Sequence, residues 1–250
     1  MPGLLNGKTA VVTGGSGDIG SDVSMLLSEE GASVVATYNR GEEAAKKLRN
    51  NAHERGLEIE VQRVDVSDDS DVVSFFKRFE GSDKPLNILV NAAGHSNRKV
   101  WFSSLDDLKT QDWLDVLKVD LIGTFNCTRA AARLMKLNKG GSIVNFSSAA
   151  GVTGHTEGLP YTAAKSAIIA LTKSLARLYG PDIRVNAVAP GNIDAGSIKW
   201  LNVEQIRQLE LESALQRLGK SREVSKAVLF LVSDMSSFIT GQTLLVDGGI

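Results

Sequence analysis

Short apolar runs alternate along the chain with stretches in which apolar residues recur every three or four positions. Runs of the first kind have the length of strands, and the second kind has the periodicity of amphipathic helices. We predict seven strands: Thr9–Val12, Ser33–Thr37, Glu58–Val64, Asn87–Val90, Ser142–Phe146, Arg184–Val188 and Leu244–Val246. Several of them are almost entirely apolar, which is typical of parallel strands covered on both faces.

A helical pattern separates each pair of predicted strands, and this alternation indicates βαβ units in one sheet. The chain has no Pro-, Gly- or Ser-rich linker and no internal repeat, so we predict a single domain over residues 1–250. The expected fold class is α/β, a doubly wound sheet of seven parallel strands with helices on both faces. Residues 194–218 carry little strand signal, and we predict that they form a helical flap over the site.

The composition narrows the class of protein. Lys and Arg total 28 against 29 for Asp and Glu, so a net charge of -1 offers no broad basic surface to nucleic acid or anionic lipid. No run approaches the roughly 20 apolar residues of a membrane-spanning helix, and residues 1–6 do not resemble a secretory signal. We expect a soluble, cytoplasmic protein that binds neither nucleic acid nor membrane. Cys127 is the only cysteine, and no ligand-spaced motif is present, so we expect no disulfide and no metal site.

A glycine-rich segment, Thr13-Gly14-Gly15-Ser16-Gly17-Asp18-Ile19-Gly20, lies directly between the first predicted strand and the helix behind it. Glycines at such a turn permit positive φ and a close approach of the backbone. The free N–H groups at the start of the helix attract a pyrophosphate. The strand–loop–helix context therefore favours a dinucleotide cradle, with an ordinary tight turn as the alternative.

The second strand ends in Thr37-Tyr38-Asn39-Arg40. A carboxylate at this corner would bind the ribose 2′-hydroxyl of NAD and repel a 2′-phosphate, but none is present. Arg40 instead offers a planar, permanently charged guanidinium to a phosphate. We therefore expect a preference for NADP(H), with NAD(H) possible. The alternative is a solvated arginine at the start of a helix.

Tyr161 and Lys165 are four residues apart at the start of a strong helical pattern, so both side chains lie on one face. A tyrosine is a poor proton donor or acceptor near neutral pH, but an adjacent ammonium favours the phenolate form. Ser148 follows the fifth predicted strand, at the sheet edge where parallel strands deliver ligand-binding residues. Its hydroxyl is suited to orienting a substrate carbonyl. A surface Tyr–Lys pair is the alternative interpretation.

These motifs together resemble the short-chain dehydrogenase/reductase superfamily over nearly the whole chain. The matching segments occur in the family's order: the glycine loop from Thr13-Gly14, Asp65-Val66, Asn91-Ala92-Ala93-Gly94, Ser148, Tyr161-x-x-x-Lys165, Pro190-Gly191, and the ending Gly241-Gln242 through Gly248-Gly249. The Arg217-Leu218-Gly219 segment and the run from Ser237 to Gln242 resemble the 3-oxoacyl-[acyl-carrier-protein] reductase-like group. The resemblance implies a single Rossmann-type catalytic domain and assembly into a homotetramer or homodimer.

The resemblance also implies roles for particular residues. Tyr161 would be the general acid/base, Lys165 would bind the nicotinamide ribose, and Ser148 would position the reacting carbonyl. The residues expected to contact the cofactor are Gly14, Gly15, Ser16, Gly17, Asp18, Ile19, Asn39, Arg40, Asp65, Val66, Asn91, Ala92, Gly94, Tyr161, Lys165, Pro190, Gly191 and Ile193.

Three positions depart from the family pattern. Asp18 stands where a loop glycine is usual, and we expect its carboxylate to cap the following helix, which would offset its repulsion of a pyrophosphate. Asp120 replaces the asparagine that completes the catalytic tetrad, and its charge would favour the ammonium form of Lys165. Ala195 replaces a threonine that commonly bonds the nicotinamide carboxamide. We expect activity to survive with a shifted pH profile and a modestly weaker grip on the cofactor.

The sequence therefore predicts an NADPH-dependent oxidoreductase that reduces a ketone to a secondary alcohol, with Tyr161 as the proton donor. A 3-oxoacyl thioester is the preferred substrate, and an alcohol, sugar or ring-ketone dehydrogenase remains open. The flap and the loops of His95 and His155 would decide between these small-molecule substrates. A dinucleotide-binding sensor without turnover is the rival from another class, motivated by the three departures. The aromatic residues Trp101, Phe102 and Trp200 are packing residues or a pocket rim.

Overall fold

The computed structural model describes residues 3–138 and 140–250. Its sheet has seven parallel strands in the order β3-β2-β1-β4-β5-β6-β7. The strands are β1 (Thr9–Thr13), β2 (Ser33–Tyr38), β3 (Ile59–Arg63), β4 (Leu86–Asn91), β5 (Gly141–Phe146), β6 (Ile183–Pro190) and β7 (Thr243–Val246). This confirms the predicted α/β fold class. The chain reverses its direction of winding between β1 and β4, which is where ligands bind in such sheets.

Helices cover both faces of the sheet. They are α1 (Asp18–Glu29), α2 (Glu42–Glu54), α3 (Asp69–Lys77), α4 (Arg98–Trp101), α5 (Thr110–Leu117), α6 (Gly123–Leu137), α7 (Ala149–Thr153), α8 (Leu159–Tyr179), α9 (Val203–Glu212) and α10 (Ser221–Val232). Two 3-10 helices span Gly196–Trp200 and Asp234–Ser236, and a π-helical turn at Lys118–Ile122 joins α5 to α6. No helix among the described residues is long and apolar enough to cross a membrane.

Alternation along the central strands builds a core on each side of the sheet. Ala10 and Val12 lie in one apolar cluster with residues of α1, α2 and α10. Val11 points the other way, into a cluster with residues of α3, α6 and α8. Because neighbouring residues of a strand face opposite sides, an almost wholly apolar strand must be covered on both. Cys127 is 1% exposed within the second cluster, as expected of a small apolar side chain.

Several strands run further than their apolar residues suggest. Strand β4 was predicted to end at Val90, but it continues through Asn91, which pairs with Thr13 and Asn145 on its two neighbours. Strand β6 extends in the same way to Pro190. Both extensions lie at the carboxyl edge of the sheet. Polar and special residues there are held by backbone pairing, so hydrophobic patterning alone does not reveal them.

Candidate active site

The glycine loop after β1 is packed too tightly for side chains. Gly14 has φ +62°, and a Cβ on it would lie 2.7 Å from the Cα of Ala93 in the loop after β4. A Cβ on Gly15 would lie 2.7 Å from the Cβ of Ala36. Gly17 is exposed and precedes the first turn of α1. The loop therefore leaves its backbone face open at a helix N-terminus, which fits the pyrophosphate of a dinucleotide.

The structure corrects the expectation that Asp18 caps α1. Gly17 is the N-cap, and Asp18 is the first residue of the helix. Its carboxylate turns to the flap, where Oδ2 accepts from the Gly196 N–H at 2.8 Å and Oδ1 accepts from Lys199 Nζ at 2.7 Å. Partial burial acts to raise the pKa of the Asp18 carboxyl, but the bonds from Lys199 and Gly196 outweigh it, so the pKa lies below its ordinary value.

Polar groups converge at the end of β2, where the sequence places the adenosine end of a dinucleotide. Asn39 Oδ1 accepts from Arg63 Nη2 at 3.1 Å, because strand pairing sets Arg63 beside Tyr38. Asp65 accepts from the backbone N–H of Ser67 at 2.9 Å. Partial burial acts to raise the pKa of Asp65, and bonds from Ser67 and Asn39 hold it below its ordinary value. Sequence reasoning missed Arg63, whose only signal is the register between β2 and β3.

The Asn91 side chain is turned into the fold, so any contact of Asn91 with a cofactor at the sheet edge would come from its backbone. It is 2% exposed, and its amide donates to Thr128 Oγ1 and to Asn145 Oδ1, both at 2.9 Å. These bonds tie β4 to β5 and α6. A buried amide with two such partners is a structural element of the sheet. The loop that follows, from Ala92 to Gly94, is what β4 presents at the sheet edge.

The predicted catalytic residues gather after β5 and on α8. Ser148 is the N-cap of α7, and its Oγ accepts from the Ala150 N–H at 3.3 Å. Helix α7 lies close to α8, since a Cβ on Gly151 would be 2.7 Å from the backbone of Lys165. Lys165 Nζ lies 5.3 Å from the centre of the Tyr161 ring and donates to the Phe146 carbonyl at 3.0 Å.

Asp120 pairs with Lys165. It lies in the π-helical turn, is fully buried, and places Oδ2 3.1 Å from Lys165 Nζ. Its Oδ1 accepts from the His95 N–H at 2.6 Å. Burial acts to lower the pKa of Lys165, but the Asp120 carboxylate and Tyr161 raise it by more, so its pKa lies above the ordinary value. This direction agrees with the expectation that Asp120 favours the ammonium.

Three aromatic residues, Trp101, Phe102 and Trp200, form what we call the aromatic wall beside Tyr161. The Trp101 ring meets the Tyr161 ring edge-on at 5.3 Å and the Trp200 ring at 6.5 Å, and Phe102 lies 6.4 Å from Trp200. All three rings remain partly exposed. Partly exposed aromatic surface at a polar reaction centre is typical of a site that takes an apolar substrate.

Two hydrogen bonds hold Trp101 in this wall. Its indole N–H donates to Glu157 Oε2 at 3.1 Å, and its carbonyl accepts from the Gly158 N–H at 2.9 Å. The His155 ring lies 5.9 Å from the Trp101 ring. Trp200 comes from the other side, at the end of the short flap helix Gly196–Trp200. The wall thus joins the loop after β4 to the flap.

The flap begins at a turn held against the C-terminal strand. The Gly191 N–H donates to the Val246 carbonyl at 3.1 Å, and Ile193 pairs with Gly219. Ala195 is 7% exposed and supplies no hydroxyl at the position where the family has one. Among the described residues, no group of three or more His, Cys, Asp or Glu side chains is arranged to hold a metal ion.

The strand order, the glycine loop and the Tyr161–Lys165 pair define a dinucleotide-dependent oxidoreductase with its site at the carboxyl edge of the sheet. A family model described as "Enoyl-(Acyl carrier protein) reductase" matches residues 15–250. The chain belongs to the short-chain dehydrogenase/reductase family, whose members are NAD(P)-dependent enzymes acting on CH–OH or C=O groups.

Individual relatives cover almost the whole chain. It is 35% identical over 244 residues to the 3-oxoacyl-[acyl-carrier-protein] reductase FabG of Staphylococcus aureus, covering 97% of this chain and 98% of that protein. It is 36% identical over 245 residues to a cis-4-hydroxycyclohexanecarboxylate dehydrogenase of Sinomonas cyclohexanicum, covering 97% and 96%. A crystal structure of a 3-oxoacyl-[acyl-carrier protein] reductase from Brucella melitensis superposes with a TM-score of 0.90 at 32% identity, covering 98% of this chain and 92% of that one.

Proposed function

We propose that the protein is an NADPH-dependent reductase that converts a ketone to a secondary alcohol. The observation that carries this proposal is the pairing of Tyr161 with the buried Lys165 ammonium on one face of α8. Such a pair places a proton donor beside a positive charge that stabilises it as the proton leaves. A sensor without turnover has no need for a buried charge beside a tyrosine, so the pairing favours the enzyme over that alternative.

Each residue of the site has a distinct task in this mechanism. Tyr161 donates its hydroxyl proton to the ketone oxygen, and Ser148 donates a hydrogen bond to the same oxygen. Lys165 holds the nicotinamide ribose and stabilises the tyrosine as it loses its proton, while Asp120 holds Lys165 in place. The bound nicotinamide supplies the hydride.

The preference for NADPH over NADH rests on the corner at the end of β2. Arg40 is exposed there, and Arg63 bonds to Asn39 beside it. Two guanidinium groups in one corner are suited to a 2′-phosphate, which they can bind with paired N–H donors. In an Arg40→Ala variant we expect the NADPH to NADH ratio of kcat/KM to fall at least about tenfold. An unchanged ratio would remove the basis for this preference.

A 3-oxoacyl thioester is our first candidate substrate, since two of the most similar proteins carry names for that reaction. A ring alcohol or ring ketone is the second candidate. The aromatic wall favours it, because flat apolar rings stack on aromatic side chains. One further relative is named for a substituted cyclohexane alcohol.

We also propose a cytoplasmic homotetramer, with a homodimer as the alternative. Apolar side chains are exposed along the stretch from Thr110 to Leu137, namely Leu114, Ile122, Phe125 and Leu137. Exposed apolar groups along one long helical stretch favour an interface between copies. Sedimentation of the purified protein distinguishes the two assemblies from a monomer.

The proposed reaction is tested by following NADPH oxidation at about 340 nm, the nicotinamide absorbance band, with a panel of ketones that includes acetoacetyl thioesters and cyclic ketones. We expect turnover with at least one class, and a loss of at least about 1,000-fold in kcat for Tyr161→Phe, because the variant has no hydroxyl proton to give. NADPH binding without turnover on any ketone would favour the sensor. Turnover that survives Tyr161→Phe would overturn the mechanism.

A further inference from the structure

We propose that Asp18 is a positioning residue that fastens the flap, residues 194–218, to the glycine loop. By doing so it keeps Trp200 in the aromatic wall beside Tyr161. The inferred effect on substrate binding rests on the proposed reductase function. The contact between Asp18 and the flap is a feature of the structure and does not depend on that function.

The Asp18 carboxylate bonds to both ends of the 3-10 helix Gly196–Trp200. Gly196 is the first residue of the 3-10 helix and donates its N–H to Asp18 Oδ2, while Lys199, in its last turn, donates to Oδ1. The next residue along the helix is Trp200. Two bonds to different points of a five-residue helix fix its orientation, whereas one bond would leave it free to pivot.

Two departures from the family pattern meet at this contact. Asp18 stands where the resemblance implies a glycine, and Ala195 stands where it implies a threonine that bonds the nicotinamide carboxamide. Ala195 has no hydroxyl to give, yet the residue directly after it is bonded to Asp18. The hydrogen bond from Gly196 to Asp18, within the protein, thus replaces the hydrogen bond that the family's threonine makes to the cofactor. The flap of this chain is therefore held by a contact that does not need the dinucleotide.

The two bonds are expected to differ in strength. The side chains of Asp18 and Lys199 are 43% and 60% exposed, so their ion pair is well solvated and contributes little by itself. The bond from the Gly196 N–H joins a backbone donor to a charged acceptor and is the stronger of the two. Asp18→Asn keeps an oxygen for that N–H and loses the ion pair, and Asp18→Gly loses both. The flap should be most ordered in the wild type, less ordered in Asp18→Asn and least ordered in Asp18→Gly.

The same carboxylate lies at the N-terminus of α1, beside the cradle for the pyrophosphate. Its negative charge opposes the negative charge of the cofactor. Asp18→Gly should therefore act in opposite directions on two ligands. NADPH should bind about fivefold more tightly, since a repulsive charge is gone. The KM for the ketone should rise about fivefold and kcat should change less than about twofold, because Trp200 of the aromatic wall no longer has a fixed position.

The test uses limited trypsin digestion of the cofactor-free enzyme, with cleavage after Arg207 followed by mass spectrometry. Arg207 lies on α9 of the flap, so its cleavage reports flap opening without being altered directly by the lost ion pair at Lys199. We expect cleavage at least about fivefold faster in Asp18→Gly, with Asp18→Asn in between. Asp22→Asn is the matched control, since it removes one charge from the same helix one turn further on.

Equal cleavage rates in wild type and Asp18→Gly would overturn the inference, as would weaker NADPH binding by Asp18→Gly in a fluorescence titration. If Asp18→Gly does not fold, as judged by circular dichroism, Asp18→Asn against Asp22→Asn decides the question in the same two measurements. The cleavage assay needs no substrate. A wild type that turns over no ketone would therefore reject the proposed function and leave this result standing on its own.

Discussion

The electrostatic field at Tyr161 depends on one buried ion pair, between Lys165 and Asp120. Lys165 and Asp120 are 3.1 Å apart with side chains 6% and 0% exposed, so water screens them little. The Asp120 carboxylate cancels part of the positive charge that Lys165 presents to Tyr161. A chain with asparagine at this position would present the full charge of the lysine to the tyrosine. In the proposed mechanism, Asp120 would therefore act on the proton transfer through Lys165.

We predict that Asp120→Asn moves the alkaline limb of the pH profile of alcohol oxidation to lower pH. The limb moves because Lys165 loses the carboxylate partner that raises its pKa, so its ammonium is lost at a lower pH. Asparagine still offers an oxygen to the His95 N–H. The measurement is kcat/KM for a secondary alcohol across the pH range.

Asp115→Asn is the control for this prediction, because it removes a carboxylate from the exposed face of α5. Its profile should match that of the wild type. An Asp120→Asn enzyme with a wild-type profile would mean that the ion pair does not control the charge of Lys165 during catalysis.

Residue spacing reveals contacts within a helix and hides those between distant segments. The Tyr161–Lys165 pair was predictable, since four residues along a helix return to the same face. The bond from Lys199 to Asp18 joins residues 181 positions apart, and nothing in the local pattern of either segment announces it. The expected capping role of Asp18 was wrong for this reason. A carboxylate at a helix start is a local signal, and a tertiary partner outcompeted it.

At the scale of elements, the start of α8 holds the aromatic wall in place. Gly158 is the N-cap of α8, with φ +59°, and a Cβ on it would lie 2.7 Å from the Trp101 ring. Its N–H also bonds the Trp101 carbonyl. The helix that carries Tyr161 and Lys165 is therefore held against α4, which ends at Trp101.

We predict that Gly158→Ala raises the KM for the ketone at least about threefold and leaves the Kd for NADPH within about twofold, because the methyl group displaces the Trp101 ring. The variant should also lose about 1–2 kcal/mol of stability from backbone strain. Gly56→Ala is the matched control. Gly56 has a similar φ of +70°, and a Cβ on it meets no atom within 4 Å. Equal KM values in the two variants would show that strain alone, and not the displaced ring, has been measured.

Element types followed from periodicity, whereas interruptions within elements did not. The stretch from Thr110 to Leu137 reads as one helical pattern, but the π-helical turn Lys118–Ile122 divides it and contains Asp120. The π-helical turn interrupts the α-helix over only five residues, so the hydrophobic periodicity of the whole stretch barely changes. The turn nonetheless decides which residue meets Lys165.

At the scale of the whole molecule, one side chain of β6, Arg184, bonds to several groups of the C-terminal segment. Arg184 of β6 donates to the carbonyl oxygens of Leu231 at 2.8 Å and Ser233 at 3.0 Å, and to Ser236 Oγ at 2.9 Å. These acceptors lie at and just beyond the end of α10. The guanidinium therefore joins the last helix and the chain that leads to β7 with the strand beneath them.

Replacing Arg184 by methionine keeps the side-chain length and removes the charged donor from two carbonyl groups and one hydroxyl group. We predict a loss of about 2–3 kcal/mol of unfolding free energy, which for a chain of this size lowers Tm by about 5–10 °C. The Tm of Arg184→Lys should lie between those of the wild type and Arg184→Met, since one ammonium reaches fewer acceptors than a guanidinium. Arg177→Met, on the exposed face of α8, is the control and should change Tm by less than about 2 °C. The measurement is calorimetry at one fixed protein concentration, because subunit assembly also shifts Tm. A Tm for Arg184→Met equal to that of the control would mean that the C-terminal segment is held mainly by the pairing of β7 with β6.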